Sequence, residues 1–339
     1  MMMLSAICPI YNEEKYIGRF LDSILRQDYP KTDMEILLVD GMSRDRTREI
    51  IRTYIEKRSF LKLVDNPQKT APYAMNTGIK NAIGDIIVRL DVHAEYPEDY
   101  FTRLVDNLGK LEGAENVGGV CVTLPGGHSV TAIAIAECLS NPFGMGNSYF
   151  RIGTDKVKRV DTVPFGCFRR SLFDRIGLYD TDMTRNQDDE LNGRINKSGG
   201  KIYLLPDVRI KYYARDTVPK VRNMFYQYGL YKPLVNKKVG TPVTIRQFAP
   251  VVFLSGLMFG FLLSILFPVF WPFYFGTICL YAVIGFAEGC KSAKKTGRMA
   301  LASLMPYVFL NIHLSYGYGY LKGIYYVLFH RRFDVKVSR

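Results

Sequence analysis

The feature that most constrains the fold is a repeated alternation between short apolar segments and longer segments with helical spacing of apolar residues. The clearest apolar segment, residues 86–90, is followed by Asp91 and His93. Short apolar runs that alternate with helices are typical of βαβ units, whose strands lie parallel in one sheet. The sequence therefore predicts an α/β fold in which each strand ends in a polar loop. Strands are expected at residues 4–8, 35–39, 60–64 and 86–90, and helices at residues 17–25, 45–57 and 71–83.

Acidic residues follow three of these predicted strands. Glu13 comes after the first strand, Asp40 after the second and Asp91 after the fourth. In a doubly wound sheet the carboxyl ends of the strands converge on one crevice, where such folds bind ligands. Asp91 and His93 stand two positions apart at a strand end, so their side chains can face one ion or one diphosphate. The alternative is a buried strand that simply ends in polar residues.

Motifs that the sequence lacks narrow the chemistry. There is no G-x-G-x-x-G after the first strand and no G-x-x-x-x-G-K-[ST], which argues against a dinucleotide oxidoreductase and a P-loop hydrolase. The cysteines form no C-x-x-C pair, which argues against a zinc site or a disulfide framework. An acidic or imidazole pair beside a diphosphate instead suggests a divalent cation, Mn²⁺ or Mg²⁺, that bridges phosphate oxygens. A sugar nucleotide fits that chemistry.

A second polar cluster, residues 186–194, contains consecutive acids at the start of a short predicted helix. They are Asp188, Asp189 and Glu190, preceded by Gln187. Acids in a first turn often only complement the helix dipole, and this is the simplest interpretation. A carboxylate fixed there can also accept a proton from an attacking hydroxyl group. Composition alone leaves both interpretations open.

Taken in order, these motifs resemble a known family. They are Pro9-Ile10-Tyr11-Asn12-Glu13-Glu14, Val39-Asp40-Gly41-Met42-Ser43, Asn76-Thr77-Gly78, Leu90-Asp91-Val92-His93 and Gln187-Asp188-Asp189-Glu190-Leu191. In this order and spacing, over roughly residues 4–330, the chain resembles the family-2 inverting glycosyltransferases with the GT-A fold. Within that family it is most similar to enzymes that build bacterial exopolysaccharides, such as the succinoglycan glucosyltransferase type.

The resemblance implies a role for each matching position. Asp188 is the implied catalytic base, which deprotonates the acceptor hydroxyl so that it displaces the diphosphate with inversion. The implied metal ligands are Asp91 and His93. The implied acceptor-side residues are Gln187, Asp189 and Glu190. The implied nucleotide-sugar contacts are Pro9, Tyr11, Glu13, Asp40, Asn76 and Asp91.

Three positions depart from the family pattern. His93 stands where the family usually has a second Asp; imidazole suits manganese better than magnesium. Gln187 replaces the usual Glu, which removes a charge beside the base but leaves the base itself. Met75 stands where many members carry Arg, so another cation must help to neutralise the leaving diphosphate.

The C-terminal third contains long apolar segments that are expected to enter a membrane. Spans are expected at about 248–268 and 271–289, because both segments are long enough for a hydrocarbon core of ~30 Å. A buried helical hairpin in a soluble domain is the alternative. The segment 300–329 is apolar but interrupted by Pro306 and His313, and it is expected to be re-entrant or interfacial. The basic segment 291–298 is expected on the cytosolic side.

These observations predict a membrane-anchored hexosyltransferase with a cytosolic GT-A domain at 1–240 and a membrane domain at 241–339. The excess of 45 Lys and Arg over 32 Asp and Glu suits an anionic membrane face. The first residues lack the pattern of a signal peptide, so the expected location is the cytoplasmic membrane, with several spans and the catalytic domain in the cytosol. The basic residues are not clustered with a stacking motif, which argues against nucleic acid.

The expected donor is a nucleotide-sugar, most simply a UDP-sugar. The expected acceptor is a lipid-linked saccharide in exopolysaccharide or cell-surface glycan synthesis, and other polysaccharide-assembly proteins are candidate partners. Two alternatives stay open. One is sugar transfer directly to polyprenyl phosphate, and the other is a non-catalytic membrane scaffold that keeps the fold.

Overall fold

The computed structural model of the protein describes residues 2–333. Their contacts divide the chain into two compact units, each with its own apolar core. The first unit contains the residues up to Val122 together with Gly153–Tyr212. The second unit contains Thr123–Ile152 and the residues from Tyr213 onward.

The described residues form one sheet of nine strands. The sheet order is β3-β2-β1-β4-β8-β6-β9-β5, with β7 paired to β9. In chain order, β1 to β9 are Leu4–Ile10, Met34–Asp40, Leu61–Asp65, Ile86–Arg89, Ala94–Glu95, Ala114–Leu124, Lys158–Arg159, Cys167–Arg169 and Lys201–Tyr213. The strands β3, β2, β1 and β4 run parallel, whereas β8 joins β4 in the antiparallel sense. The predicted α/β fold is confirmed, with a sheet that is parallel at one side and antiparallel at the other.

Helices cover this sheet where the sequence pattern predicts them. The first unit contains α1 Ile17–Leu25, α2 Thr47–Ile55, α3 Ala71–Asn81, α4 Tyr100–Lys110, α8 Ser171–Ile176 and α9 Gln187–Lys197. The predicted apolar face of α1 is buried, including Phe20 and Ile24. A Cβ atom at Gly78 in α3 would lie 2.4 Å from a methyl group of Ile7 in β1. Helix α3 therefore approaches the sheet more closely than a residue with a side chain would permit.

Glu35, near the start of β2, carries a buried carboxylate at the amino ends of the parallel strands. Glu35 in β2 is 1% exposed and accepts hydrogen bonds from the Ser5 hydroxyl at 2.6 Å, the Ile83 N–H at 2.8 Å and Lys62 Nζ at 2.7 Å. Burial acts to raise the pKa of Glu35, but these hydrogen bonds outweigh it and lower the pKa below its usual value. The ionised Glu35 thus joins three neighbouring segments of the fold.

The second unit is helical. It contains α5 Val130–Leu139, α6 Pro142–Met145, α7 Tyr149–Ile152, α10 Val218–Val239, α11 Ala249–Leu266, α12 Trp271–Thr296 and α13 Leu301–Leu328. Helices α10 and α13 approach closely through small residues, because a Cβ at Gly319 would lie 2.2 Å from the Tyr226 carbonyl. Helix α10 therefore belongs to the same compact unit as α13, and the division into a GT-A domain at 1–240 and a membrane domain at 241–339 stays a prediction.

Two segments of this unit are long and apolar enough to cross a membrane. They are Ile245–Leu266 and Pro268–Thr296, and their apolar side chains are largely exposed. The third apolar segment is the continuous helix α13, with Pro306 inside it and many buried side chains. It does not fold back on itself as a re-entrant pair would, and its placement at an interface stays a prediction.

Candidate active site

The loops after β1 and β2 are joined by hydrogen bonds. The backbone N–H of Asn12 donates to Oγ of Ser43 at 2.8 Å, and Oδ1 of Asn12 accepts from the backbone N–H of Arg44 at 2.9 Å. The backbone N–H of Glu13 donates to Oγ1 of Thr47 at 2.7 Å. Asn12 has a φ of 55°, a left-handed conformation that Asn adopts more readily than most residues. These bonds fix the two strand ends relative to each other.

Asp40, the last residue of β2, is fully buried, and its carboxylate is held by neighbouring groups. It accepts hydrogen bonds from the backbone N–H of Ser43 at 2.9 Å and from the Ser43 hydroxyl. Nη1 of Arg48 lies 2.7 Å from Asp40 and 2.8 Å from Asp65, the last residue of β3. A buried carboxylate requires such partners, because desolvation penalises its charge. Arg48 thus brings a cation to the ends of β2 and β3.

Asp91 begins a tight turn just after β4. Its Oδ1 accepts the backbone N–H of His93 at 2.8 Å, and its own backbone N–H donates to the Tyr96 hydroxyl at 2.8 Å. Complete burial raises the pKa of Tyr96 well above its usual value, so this phenol keeps its proton. Asp91 itself stays partly exposed. The turn therefore presents a carboxylate from a rigid support.

The imidazole of His93 faces Glu13. Its Nε2 lies 3.3 Å from Oε2 of Glu13, and its ring centroid lies 4.5 Å from that of Tyr16. Glu13 is 4% exposed, so His93 is a partner for a carboxylate that is nearly removed from solvent. The structure therefore brings together two residues that the sequence assigned to different roles, one to the nucleotide and one to a metal.

Asp188 forms an ion pair that the sequence analysis did not anticipate. Its Oδ1 contacts Nη1 of Arg89, the last residue of β4. The Arg89 side chain is 9% exposed, whereas that of Asp188 is 30% exposed. The carboxylate thus has a buried cation on one side and access to solvent on the other. This is a suitable arrangement for a base that must meet a hydroxyl group from outside.

The other polar residues at the start of α9 differ in environment. Gln187 and Asp189 are partly exposed, whereas Glu190 is 3% exposed. The carboxylate of Glu190 accepts from Nε and Nη2 of Arg194 at 2.7 and 2.8 Å. The same guanidinium donates to the carbonyl oxygens of residues 176, 177 and 178. Glu190 is therefore used to support the segment that precedes Asp188.

Asn76 in α3 holds the same segment from the other side. Its Nδ2 donates to the Tyr179 carbonyl at 2.8 Å, and its Oδ1 accepts the Tyr179 N–H at 2.9 Å. Burial raises the pKa of Tyr179 to about 12 despite the opposing charges of Arg89 and Arg194. The remaining predicted residues lie nearby along the chain, with Pro9 in β1 and Tyr11 directly after it.

The donor set can be tested for a divalent cation. Among the described residues, no group of three or more His, Cys, Asp or Glu side chains is arranged to hold a metal ion. A cation that takes most of its ligands from substrate phosphates and water needs only one or two carboxylates from the protein. The partly exposed Asp91 fits that requirement, whereas Nε2 of His93 already faces the carboxylate of Glu13.

The candidate transferase site lies on an α/β fold. It combines Asp91 at the end of a parallel strand, the ion pair of Arg89 with Asp188, and the acidic start of α9. Residues 5–177 match the family described as Glycosyl transferase family 2. Because this match covers more than half of the sequence, the chain belongs to that family, and it is a glycosyltransferase. The resemblance inferred from the motifs is confirmed.

Individual relatives extend the comparison over nearly the whole chain. The chain is 29% identical over 331 residues to the dolichyl N-acetyl-alpha-D-glucosaminyl phosphate 3-beta-D-2,3-diacetamido-2,3-dideoxy-beta-D-glucuronosyltransferase of Methanococcus voltae, covering 96% of this chain and 98% of the relative. It is 28% identical over 261 residues to the succinoglycan biosynthesis protein ExoA of Rhizobium meliloti (strain 1021), covering 76% and 77% of the two chains.

A solved structure supports the fold assignment. The mannosyltransferase PcManGT of Pyrobaculum calidifontis, in complex with GDP-Man and Mn²⁺, matches with a TM-score of 0.56 and 19% identity. The match covers 96% of this chain and 87% of PcManGT. The predicted GT-A fold is therefore confirmed.

Sequence reasoning assigned no role to Arg89, Arg48 and Arg194, the cations that hold the acids of the site. A signal for Arg89 was present, because it is the one charged residue in the apolar segment 86–90. A charge in a buried strand requires a partner. The sequence could not name Asp188 as that partner, since nearly one hundred residues separate them. The roles of individual site residues stay predictions.

Proposed function

We propose that this glycosyltransferase is anchored in the membrane and moves a sugar, with inversion, from a nucleotide-sugar to a lipid-linked saccharide. The observation that carries the proposal is the pairing of Asp188 with Arg89, two residues before Asp91. The candidate base is thereby paired with a residue that stands two positions before the carboxylate assigned to the donor diphosphate. In a family-2 glycosyltransferase this arrangement favours direct displacement of the nucleoside diphosphate.

In the proposed reaction, Asp188 accepts the proton of an acceptor hydroxyl. The hydroxyl oxygen forms a bond to the anomeric carbon as the bond to the diphosphate oxygen breaks, and the electron pair leaves with the diphosphate. A divalent cation, Mn²⁺ or Mg²⁺, would be held by Asp91 and would neutralise diphosphate charge. On the nucleoside side, Glu13 and Asp40 line the ends of β1 and β2, with Pro9 and Tyr11 beside them. Asn76 fixes the Tyr179 backbone.

The acceptor and the membrane are proposed from independent features. The relative from Methanococcus voltae is named for transfer to a dolichyl phosphate-linked sugar, and the relative from Rhizobium meliloti for succinoglycan biosynthesis. Helices α11 and α12 offer exposed apolar surface, and α12 ends with the basic residues Lys294 and Lys295. Apolar helices with basic ends suit a cytoplasmic membrane and a catalytic domain on its cytosolic side.

The test is sugar transfer by the full-length protein in detergent or vesicles. UDP- and GDP-sugars would be supplied with Mn²⁺, Mg²⁺ or chelator, and with lipid pyrophosphate-linked saccharides or polyprenyl phosphate. The expected result is metal-dependent release of nucleoside diphosphate and a lipid-linked product extended by one inverted sugar. Transfer to polyprenyl phosphate alone would replace the proposed acceptor. Donor binding without turnover in the presence of native lipid extract would favour a scaffold.

A further inference from the structure

Arg89 occupies an unusual position for a charged residue. It is the last residue of the central strand β4 and is 7% exposed, with its backbone N–H donating to the Gly166 carbonyl at 2.9 Å. The preceding residues of the strand, Ile86, Ile87 and Val88, are buried and apolar. A guanidinium in such surroundings is costly unless a carboxylate compensates its charge. The contact with Asp188 supplies that compensation.

The Asp188 carboxylate is held by a residue that lies in a rigid part of the sheet. Strand β4 lies between β1 and β8 in the sheet, so the backbone of Arg89 cannot move independently. The segment before Asp188 is itself fixed, by the Asn76 contacts to Tyr179 and by the Arg194 contacts to residues 176–178. One support thus acts directly on the Asp188 side chain, and the other holds residues 176–179, which precede it in the chain.

The position of Arg89 also links the two halves of the proposed site. Arg89 and Asp91 are two residues apart at the same strand end. A shift of this strand end would therefore move two things together: the guanidinium that contacts Asp188, and the Asp91 carboxylate assigned to the donor. Correct relative placement of reacting groups is a large part of catalysis, and a misplacement of ~1 Å can cost about a hundredfold in rate.

We propose that Arg89 is a positioning residue for the transfer reaction. Its guanidinium orients the Asp188 carboxylate and keeps it in register with the donor site that begins at Asp91. The proposal rests on the proposed function, because it takes Asp188 as the base. Arg89 itself is 7% exposed, so it acts through Asp188 and does not contact the acceptor.

The test compares three variants of the full-length protein by transfer kinetics. Arg89→Met removes the guanidinium at similar length, and Arg89→Lys keeps the charge but loses the planar fork. The matched control is Arg169→Met, in the neighbouring strand β8, whose guanidinium donates to the carbonyls of Leu108 and Ala114 at 2.8 Å. Thermal unfolding of each variant identifies the folded fraction on which kcat is based.

The expected result is a split between kcat and KM. Arg89→Met lowers kcat by roughly 10- to 100-fold and leaves the donor KM within about twofold. Arg89→Lys recovers part of the loss, and the folded fraction of Arg169→Met keeps its kcat within about twofold. A purely structural role for Arg89 would give Arg89→Met and Arg169→Met the same pattern.

Other results overturn the proposal. A kcat for folded Arg89→Met within about twofold of wild type, or a donor KM that rises as much as kcat falls, shows that Arg89 does not position the base. If Arg89→Met does not fold, Arg89→Lys decides by the same criteria. Asp188→Asn separates this inference from the proposed function. Full activity of Asp188→Asn refutes the proposed base, whereas its loss together with unchanged Arg89→Met kinetics refutes only the inference.

Discussion

Glu190 has a supporting contact within the fold, and the acceptor-side role implied by its sequence motif stays a prediction. Its carboxylate is 4% exposed as a side chain and receives two hydrogen bonds from Arg194, which also supports the backbone at residues 176–178. Glu190→Gln keeps the side-chain volume but removes the charge. We therefore expect this substitution to act first on stability, and on activity only through the segment before Asp188.

The expected loss of unfolding free energy follows from the Arg194 charge, which the substitution leaves without its carboxylate. Removing one partner of a buried ion pair costs about 3–5 kcal/mol, because the remaining charge is poorly compensated. For a folding unit of this size each kcal/mol lowers the melting temperature by roughly 2–4 °C, which gives a decrease of roughly 6–20 °C. The assay is thermal unfolding of the detergent-solubilised protein, with the donor KM measured at a temperature where the variant stays folded.

A surface pair provides the control for this experiment. Asp99 and Arg103 have the same i,i+4 spacing, but both side chains are 40% exposed. Asp99→Asn is expected to cost no more than about 1 kcal/mol. The reasoning would be refuted by a Glu190→Gln protein as stable as Asp99→Asn, or by one that is stable but has lost acceptor binding.

Two further predictions concern stability. Because the folded pKa of Glu35 is lowered from its ordinary value of 4.5, its stabilising contribution is present above about pH 4.5 and is lost as the pH falls below it. Glu35→Gln should remove about 1–3 kcal/mol at neutral pH and flatten the acid dependence of the melting temperature; an unchanged dependence would contradict this. Gly319→Ala should destabilise the packing of α13 on α10, because the new Cβ would lie 2.2 Å from the Tyr226 carbonyl. Gly256→Ala, with nothing within 4 Å of the new atom, is its control in the same melting assay, and equal melting temperatures would count against the close approach.

Much of the first unit follows from local pattern. The alternation of short apolar runs and helical segments predicted β1 to β4 and α1 to α3, since burial on both faces of a parallel sheet leaves little choice of composition. The same pattern put Glu13, Asp40 and Asp91 at neighbouring strand ends. These features could be predicted because each depends on residues that are close in sequence.

The rest depends on contacts between distant residues. Asp189 and Glu190 are indistinguishable in a run of acids, yet one is partly exposed and the other is buried against Arg194. Nothing in the local sequence shows that His93 faces Glu13. For helix α13, Pro306 and His313 suggested an interruption, but the helix is continuous and its glycines permit close packing against α10 and α11. Side-chain partners are a property of the folded chain.

The central claim is that Asp188 is the base of a sugar transfer. The most direct measurement is release of nucleoside diphosphate, in the presence of native lipid acceptor, by the wild type and by Asp188→Asn. Asp174→Asn is the control, since Asp174 is an exposed acid in the first turn of α8. The account predicts that Asp188→Asn lowers turnover by about 10²-fold or more with donor binding intact, while Asp174→Asn stays near wild type. Turnover of Asp188→Asn close to the wild-type rate would contradict it.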